Sequence, residues 1–311
     1  MDMLATLENS FVYLFVLAGG YILKRIHVLP KESSAILSTI IMNITLPAAI
    51  LKGAANSTFD LSILWVLLFA VILNILLLGA GYLFSRGRPG PERGLMILNV
   101  NTFNYGNFAI PFLSSMVSGG TFAYMGVYDS GSAFFTFGPN LALAQKAMER
   151  TGQKVTLIDV LRKLFTTPTI CAYVFMLVMG ALEWRLPALV MDVVSMAGSA
   201  NAFLAMLCVG VLFEFHLPKS GYALIFQTLV IRYTICGLFA VAIWFFLPVP
   251  AEAVRTLTIM TMAPIASCAP ILTVEAGCDG TTSAVINSIS IVFSIAVMVL
   301  LLLLLPMPVR G

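Results

Sequence analysis

Ten apolar stretches follow one another along this chain, joined by short polar links. They cover 10–27, 33–51, 61–84, 95–117, 120–145, 164–184, 188–213, 221–247, 256–274 and 281–305. A helix that crosses the hydrocarbon of a bilayer needs ~20 residues, and each stretch supplies about that many. Together they occupy most of the 311 residues and leave no room for a soluble domain. Only 10% of residues are Asp, Glu, Lys or Arg, against roughly 25% in soluble domains. A water-facing surface cannot be built from so few charges without large apolar patches, whereas lipid solvates such a surface. The chain therefore reads as an all-α integral membrane protein. Disorder is excluded by its hydrophobicity, and a nucleic-acid partner by the lack of a basic domain. The alternating dyads of an outer-membrane barrel are missing. The longest link, within 146–163, is expected to hold an interfacial helix.

The basic residues orient the spans. Lys24, Arg25, Lys31, Arg86, Arg88, Arg93, Lys146, Arg150, Lys154, Arg162, Lys163 and Lys219 fall on one side of a ten-span arrangement. Lys52, Arg185, Arg255 and Arg310 fall on the other. Excess Lys and Arg mark the cytoplasmic side, so Gly87 is expected in the cytoplasm, with Ser57 and both termini outside. No basic leader or small-residue cleavage motif marks the first stretch, which is expected to be retained. The five cysteines form no CxxC and read as small packing residues, with no metal expected.

Two sets of five spans, 1–150 and 151–311, would have opposite orientation because five is odd. Inverted repeats of this kind build many secondary transporters. Asn43-Ile44-Thr45-Leu46-Pro47 in the second span and Asn201-Ala202-Phe203-Leu204-Ala205 in the seventh share Asn and Leu at similar depth. Spans four and nine correspond in character. The fourth carries Asn99, Asn101, Asn104, Gly106, Asn107 and Pro111, and the ninth carries Pro264, Ser267 and Pro270. Proline removes a backbone donor and crowds the preceding turn, so each helix is expected to kink or break there. Freed carbonyls survive at membrane depth only where protein or a watery cavity satisfies them. Paired interrupted helices therefore point to a midplane site. Asn104, Asn107 and Pro111 would share one face if the helix persists through them.

These motifs resemble the auxin efflux carrier family in its short bacterial form. The resemblance rests on Asn43 with Leu46-Pro47-Ala48, on Asn104-Tyr105-Gly106-Asn107-Phe108-Ala109-Ile110-Pro111, and on Thr167-Pro168 and Leu186-Pro187. Met262-Ala263-Pro264 and Gly277-Cys278-Asp279 complete it. It implies a ten-helix fold similar to bile-acid symporters and sodium–proton antiporters. In that fold helices 1, 2, 6 and 7 form a scaffold, and helices 3–5 and 8–10 a moving core, with four and nine crossing at their breaks. It further implies an inner (plasma) membrane carrier of a small organic anion, a mono- or dicarboxylate, working as a homodimer by elevator-type alternating access. No cofactor is implied beyond coupling to H⁺ or Na⁺. The plant carriers' long central loop is absent here, and their charged pair in span three has no match, Asn74 being the strongly polar residue there.

Candidate substrate-binding residues are then Asn43, Asn104, Asn107, Pro111, Asn201, Pro264, Ser267, Pro270 and Arg232. Asp129 and Glu275 are candidates for the coupling ion. Asp129 and Arg232 lie near mid-depth, where a charge costs at least ~2.5–3.5 kcal/mol. Either they pair with each other or with broken-helix carbonyls, or Arg232 holds a substrate carboxylate and Asp129 carries a proton. Asp192, Glu214, His27 and His216 sit at span ends or loops. No HExxH occurs, and the aspartates cannot assemble an intramembrane protease pair, so no enzyme is expected. The alternative to a carrier is an anion-selective channel or a membrane receptor.

Overall fold

A computed structural model describes residues 3–30, 32–54, 61–114, 116–117, 120–148, 158, 162, 166, 168–182, 184–213 and 221–305. The interfacial helix expected within 146–163 lies almost entirely outside them, as do Ser57, Glu214 and His216. The described residues are helical, without strands. In order the helices are α1 Met3–Arg25, α2 Ser33–Gly53, α3 Ile63–Phe84 and α4 Gly90–Val100. A wide turn, Tyr105–Ala109, then leads into α5 Ile110–Leu113. Next come α6 Thr121–Phe137, α7 Pro139–Ala147, α8 Pro168–Ala181 and α9 Ala188–Leu212. The chain ends with α10 Tyr222–Phe246, α11 Ala251–Met260, α12 Ala269–Glu275 and α13 Gly280–Leu304.

Five of these, α2, α3, α9, α10 and α13, are long and apolar enough to cross a membrane unaided. The fourth, fifth and ninth stretches are divided. The fifth, expected to run unbroken over 120–145, is cut at Gly138 (φ −115°, ψ −96°), and Pro139 restarts it as the first residue of α7. Pro suits a first turn, where its missing N–H would have had no partner. Of the sixth stretch, expected over 164–184, α8 covers Pro168–Ala181.

Burial in the long helices follows a stripe. α3 is apolar all round, yet Ile63, Val66, Ala70, Leu73, Asn74, Leu77 and Gly81 are buried at helical spacing. α13 buries Ser283, Asn287, Ser290 and Ser294, while Val292, Leu300 and Leu304 point outward. This inverts the soluble pattern, as expected where lipid covers the outside and protein must satisfy the polar groups. α13 starts on Asp279, whose carboxylate accepts from the Thr281 N–H (2.8 Å) and the Thr282 hydroxyl (2.6 Å). That is an N-cap meeting the orphan donors of the first turn.

Two sets of helices pack mainly within themselves. In one, α1 and α2 lie along α9, and α2 also meets α8. The α1–α9 approach is close because Gly20 faces Leu207 and Gly210 faces Leu17, backbone against backbone. In the other set, α3 packs on α4, α6 and α10, α4 on α7, α11 on α6 and α10, and α12 on α13. The sets meet where α6 touches α2 and α8, and where the 105–109 turn and α5 touch α9.

Candidate functional site

Two helix breaks meet inside the second set. The first runs from Asn101 (φ −120°, ψ 45°) to Asn104 (φ −93°, ψ 59°), between α4 and the 105–109 turn. The second separates α11 from α12 and contains Pro264 and Ser267. The Asn104 N–H donates to the Pro264 carbonyl (2.9 Å), and its side-chain amide donates to Ser267 Oγ (2.8 Å). Neighbouring elements supply the remaining hydrogen bonds. Asn287 of α13 donates to the Ile265 and Ala266 carbonyls (2.8 and 3.0 Å), and Ser290 Oγ accepts from the Ile265 N–H (3.0 Å). On the other side Asn101 donates to the Asn74 carbonyl (3.0 Å) and to Asn140 Oδ1 (2.8 Å), and Asn140 donates back to the Asn101 carbonyl. Ser283 Oγ donates to Asn99 Oδ1 (2.8 Å), tying α4 to α13.

Arg232 spans both breaks. It is fully buried on the inward stripe of α10. One terminal nitrogen donates to the Val100 carbonyl at the end of α4 (2.8 Å), the other to the Ala263 carbonyl (3.1 Å). Its guanidinium carbon lies 4.2 Å from the centre of the Phe103 ring, within cation–π range. Phe103 stacks on Tyr105 (4.7 Å), Tyr105 leans on Tyr128 (5.4 Å), and the Tyr128 and Thr261 hydroxyls are hydrogen-bonded (2.8 Å). Among the described residues no carboxylate forms an ion pair with Arg232. Of the readings open at the sequence level, the geometry is that of bonds to broken-helix carbonyls rather than pairing with Asp129.

A family profile described as membrane transport protein matches residues 8–137 and 140–302. The chain belongs to this family, that of the auxin efflux carriers. Its members are membrane transporters rather than enzymes, so the chain is a multi-pass membrane transport protein. A comparison with curated proteins returns no match.

The sequence-predicted residues divide around this centre. Asn104, Pro264, Ser267 and Arg232 come together there. Pro270 stands in the first turn of α12, and Glu275, its last residue, is exposed. Pro111 is buried in the first turn of α5 but does not break the helix. The fourth stretch opens at 101–104 instead, so Asn104, Asn107 and Pro111 do not share a helical face. Asn107 turns toward α2, with a long hydrogen bond to Ser38 (3.4 Å), and its Oδ1 has no partner. Asp129 is half-buried and points at the same turn, its Oδ2 lying beside Gly106 together with the Met42 sulfur. Asn43 is exposed and bonds back to the Thr39 carbonyl (2.7 Å) within α2. Asn201 is buried and accepts from Thr45 (3.0 Å), pinning α9 to α2 at the wide turn Ile41–Thr45. Asn140, Asn287, Ser290, Phe103 and Tyr128 escaped the sequence reading. The spacing of Ser283, Asn287, Ser290 and Ser294 was the available signal, a polar stripe in an otherwise apolar span.

Proposed function

We propose that this family member is a secondary transporter for a small organic anion, a mono- or dicarboxylate, which binds where the two helix breaks meet. The observation that carries the reading is Asn104, which joins one break to the other through both its backbone and its side chain. Broken helices expose half-helix ends and unpaired backbone groups, which are the means of holding an ion in a low-dielectric interior. Arg232 supplies the positive charge there, and its Nε is buried without a partner. The division of packing supports a scaffold of spans 1, 2, 6 and 7 and a core of spans 3–5 and 8–10 that moves against it. In this reading the chain is a ten-span inverted repeat in a cell's inner membrane, with both termini outside and a homodimer formed through the scaffold. Asp129, at the seam between the sets, is the proton-carrying group.

Thermal unfolding of the purified protein across a panel of mono- and dicarboxylates tests the substrate class, because a ligand that binds only the native state raises its stability. At least one carboxylate should raise the midpoint in the parent and less so in Asn104→Ala. A panel without effect would overturn the anion assignment. Uptake into liposomes separates carrier from channel: flux should saturate with substrate, and a flux that does not saturate would favour a pore. Asp129→Asn should retain counterflow but lose accumulation driven by a pH gradient. For topology, a cysteine placed at Arg86 should resist an impermeant reagent added from outside.

A further inference from the structure

The end of α3 that leads into α4 carries a cationic cluster that the helix breaks do not use. In the orientation proposed above it is the cytoplasmic end. Tyr82 stands half-buried in the last turn of α3. Two guanidinium groups lie over its ring, that of Arg86 at 5.2 Å and that of Arg93, on α4, at 5.6 Å from the centroid. Both are within cation–π range. Arg88, between them in the chain, is committed elsewhere: it pairs with Glu92 (2.7 Å) and donates to Gln227 of α10. Among the described residues no carboxylate pairs with Arg86 or Arg93. The acids closest along the packing are taken. Arg88 holds Glu92, and Asp279, which follows the Cys278 packed on Gly94, caps α13. Arg93 is half-buried, and its Nε is closed off from solvent without an acceptor. Two like charges brought to one ring repel each other, and a guanidinium partly withdrawn from water gains more from an anion than an exposed one does.

The depth of the cluster says where that anion comes from. α3 is long and apolar enough to cross a membrane, and Leu83 and Phe84, next to Tyr82, are exposed. One turn back Leu76 is exposed too, and nothing stands near Gly79. A ligand on Arg86 and Arg93 therefore has hydrocarbon along one side of it and the basic connection on the other. That is the level of a lipid headgroup, where tyrosine and arginine are at home. Guanidinium groups bind phosphate oxygens through paired N–H bonds, and basic pockets at the cytoplasmic ends of spans take anionic headgroups. We propose that Arg86 and Arg93, gathered by the Tyr82 ring, hold the phosphate of one anionic phospholipid whose acyl chains run along the exposed face of α3. A choline lipid offers the same phosphate but sets a cation beside it, so two uncompensated arginines favour a headgroup with net negative charge. The site requires only that the chain crosses a bilayer, as members of its family do. α3 and α4 both belong to the helix set that moves in the transport reading, so a lipid held here would tether that set to one leaflet. Only this consequence rests on that reading.

The experiment is thermal unfolding of the purified full chain in detergent, titrated with phosphatidylglycerol, phosphatidylcholine or inorganic phosphate at constant ionic strength. The midpoint should rise and saturate with phosphatidylglycerol, rise much less with phosphatidylcholine and stay flat in phosphate. Arg86 is exposed, so Arg86→Gln should match the parent without lipid. Its phosphatidylglycerol response should move to about five-fold higher concentration, the loss of one basic contact at the membrane surface. Tyr82→Leu should weaken the response as well, because the two arginines lose the ring that gathers them, and Tyr82→Phe should keep it. Arg25→Gln removes an equally exposed arginine at the end of α1 and should leave the response unchanged. Equal effects of the two lipids, or a response in phosphate as strong as in phosphatidylglycerol, would overturn the lipid site. So would an Arg25→Gln protein weakened as much as Arg86→Gln, since the attraction would then be diffuse. The carboxylate panel run without added lipid is independent: a lipid response without a carboxylate response defeats the anion-transport reading alone, and the reverse defeats this proposal alone.

Discussion

Removing Arg232 asks how much the meeting of the two breaks depends on one guanidinium. The side chain is fully buried and donates to the Val100 and Ala263 carbonyls at 2.8 and 3.1 Å. Hydrogen bonds to a charged group contribute ~1.5–3 kcal/mol each, and a buried acceptor left unmet costs ~1–3 kcal/mol. Arg232→Leu strands two carbonyls at once but also removes a buried charge whose desolvation opposed folding. The net effect should be a loss of ~3–5 kcal/mol, the range for deleting one partner from a buried charged contact. Arg232→Lys keeps the charge and loses the planar fork, so it holds one carbonyl at most and gives up the stacking on Phe103. It should fall between parent and Arg232→Leu. The same geometry predicts the outcome of a double-mutant cycle. Because Asp129 is not an ion-pair partner, Asp129→Asn should add to Arg232→Leu independently, within ~0.5 kcal/mol, and should not rescue it. Unfolding of the purified proteins in nanodiscs measures all four variants. An Arg232→Leu protein as stable as the parent, or one restored by Asp129→Asn, would refute the assignment of Arg232 to the break carbonyls.

Asn104→Ala loses the bond to Ser267, and should cost ~1 kcal/mol of stability and weaken carboxylate binding in the same titration. Asn287→Leu frees the Ile265 and Ala266 carbonyls and should destabilise by ~2–4 kcal/mol, measured by unfolding midpoint. Gly210→Val places a side chain against the α1 backbone at Leu17 and should lower the yield of folded protein on size-exclusion chromatography, whereas Gly79→Val, where nothing stands nearby, should not. Asp279→Ala removes the cap of α13 and should cost ~0.5–2 kcal/mol at neutral pH. The Asp279 carboxyl is held below its usual range, chiefly by the Thr282 hydroxyl and also by the Thr281 and Thr282 N–H groups. Its contribution is therefore complete above the unfolded carboxylate pKa and is lost as pH falls through the lower folded value, so parent and variant should converge in acid.

The helical, membrane-embedded character of the chain, and the fact that the fourth and ninth stretches break, were readable because lipid imposes them. A helix must be long and apolar to cross, and a span rich in Asn, Pro and Ser must be satisfied by its neighbours. Where along the span the opening falls was less readable. In the ninth stretch proline marks it, for Pro264 lies within the break and Pro270 restarts the helix. In the fourth, Pro111 marks only the first turn of α5, because a proline preceded by a wide turn needs no further gap. The 101–104 break is specified instead by partners that are far away in the chain. Asn101 is held from Asn140, Asn104 from Pro264 and Ser267, and the Val100 carbonyl from Arg232. No local pattern encodes those pairings.

One physical rule would have narrowed them. A break at membrane depth creates a definite demand for donors, and only inward-facing polar side chains can meet it. The first break frees the Val100 and Asn101 carbonyls, and the second those of Ala263, Ile265 and Ala266. The strong donors on the inward stripes of α10 and α13 are Arg232 and Asn287, and on α7 Asn140. Matching that supply to that demand assigns Arg232 to carbonyls before any carboxylate is considered. The sequence alone left Asp129, the broken-helix carbonyls and a substrate carboxylate all open as partners of Arg232. The guanidinium, with several N–H groups, serves two broken helices together and leaves Asp129 at the seam between the packing sets, beside Gly106.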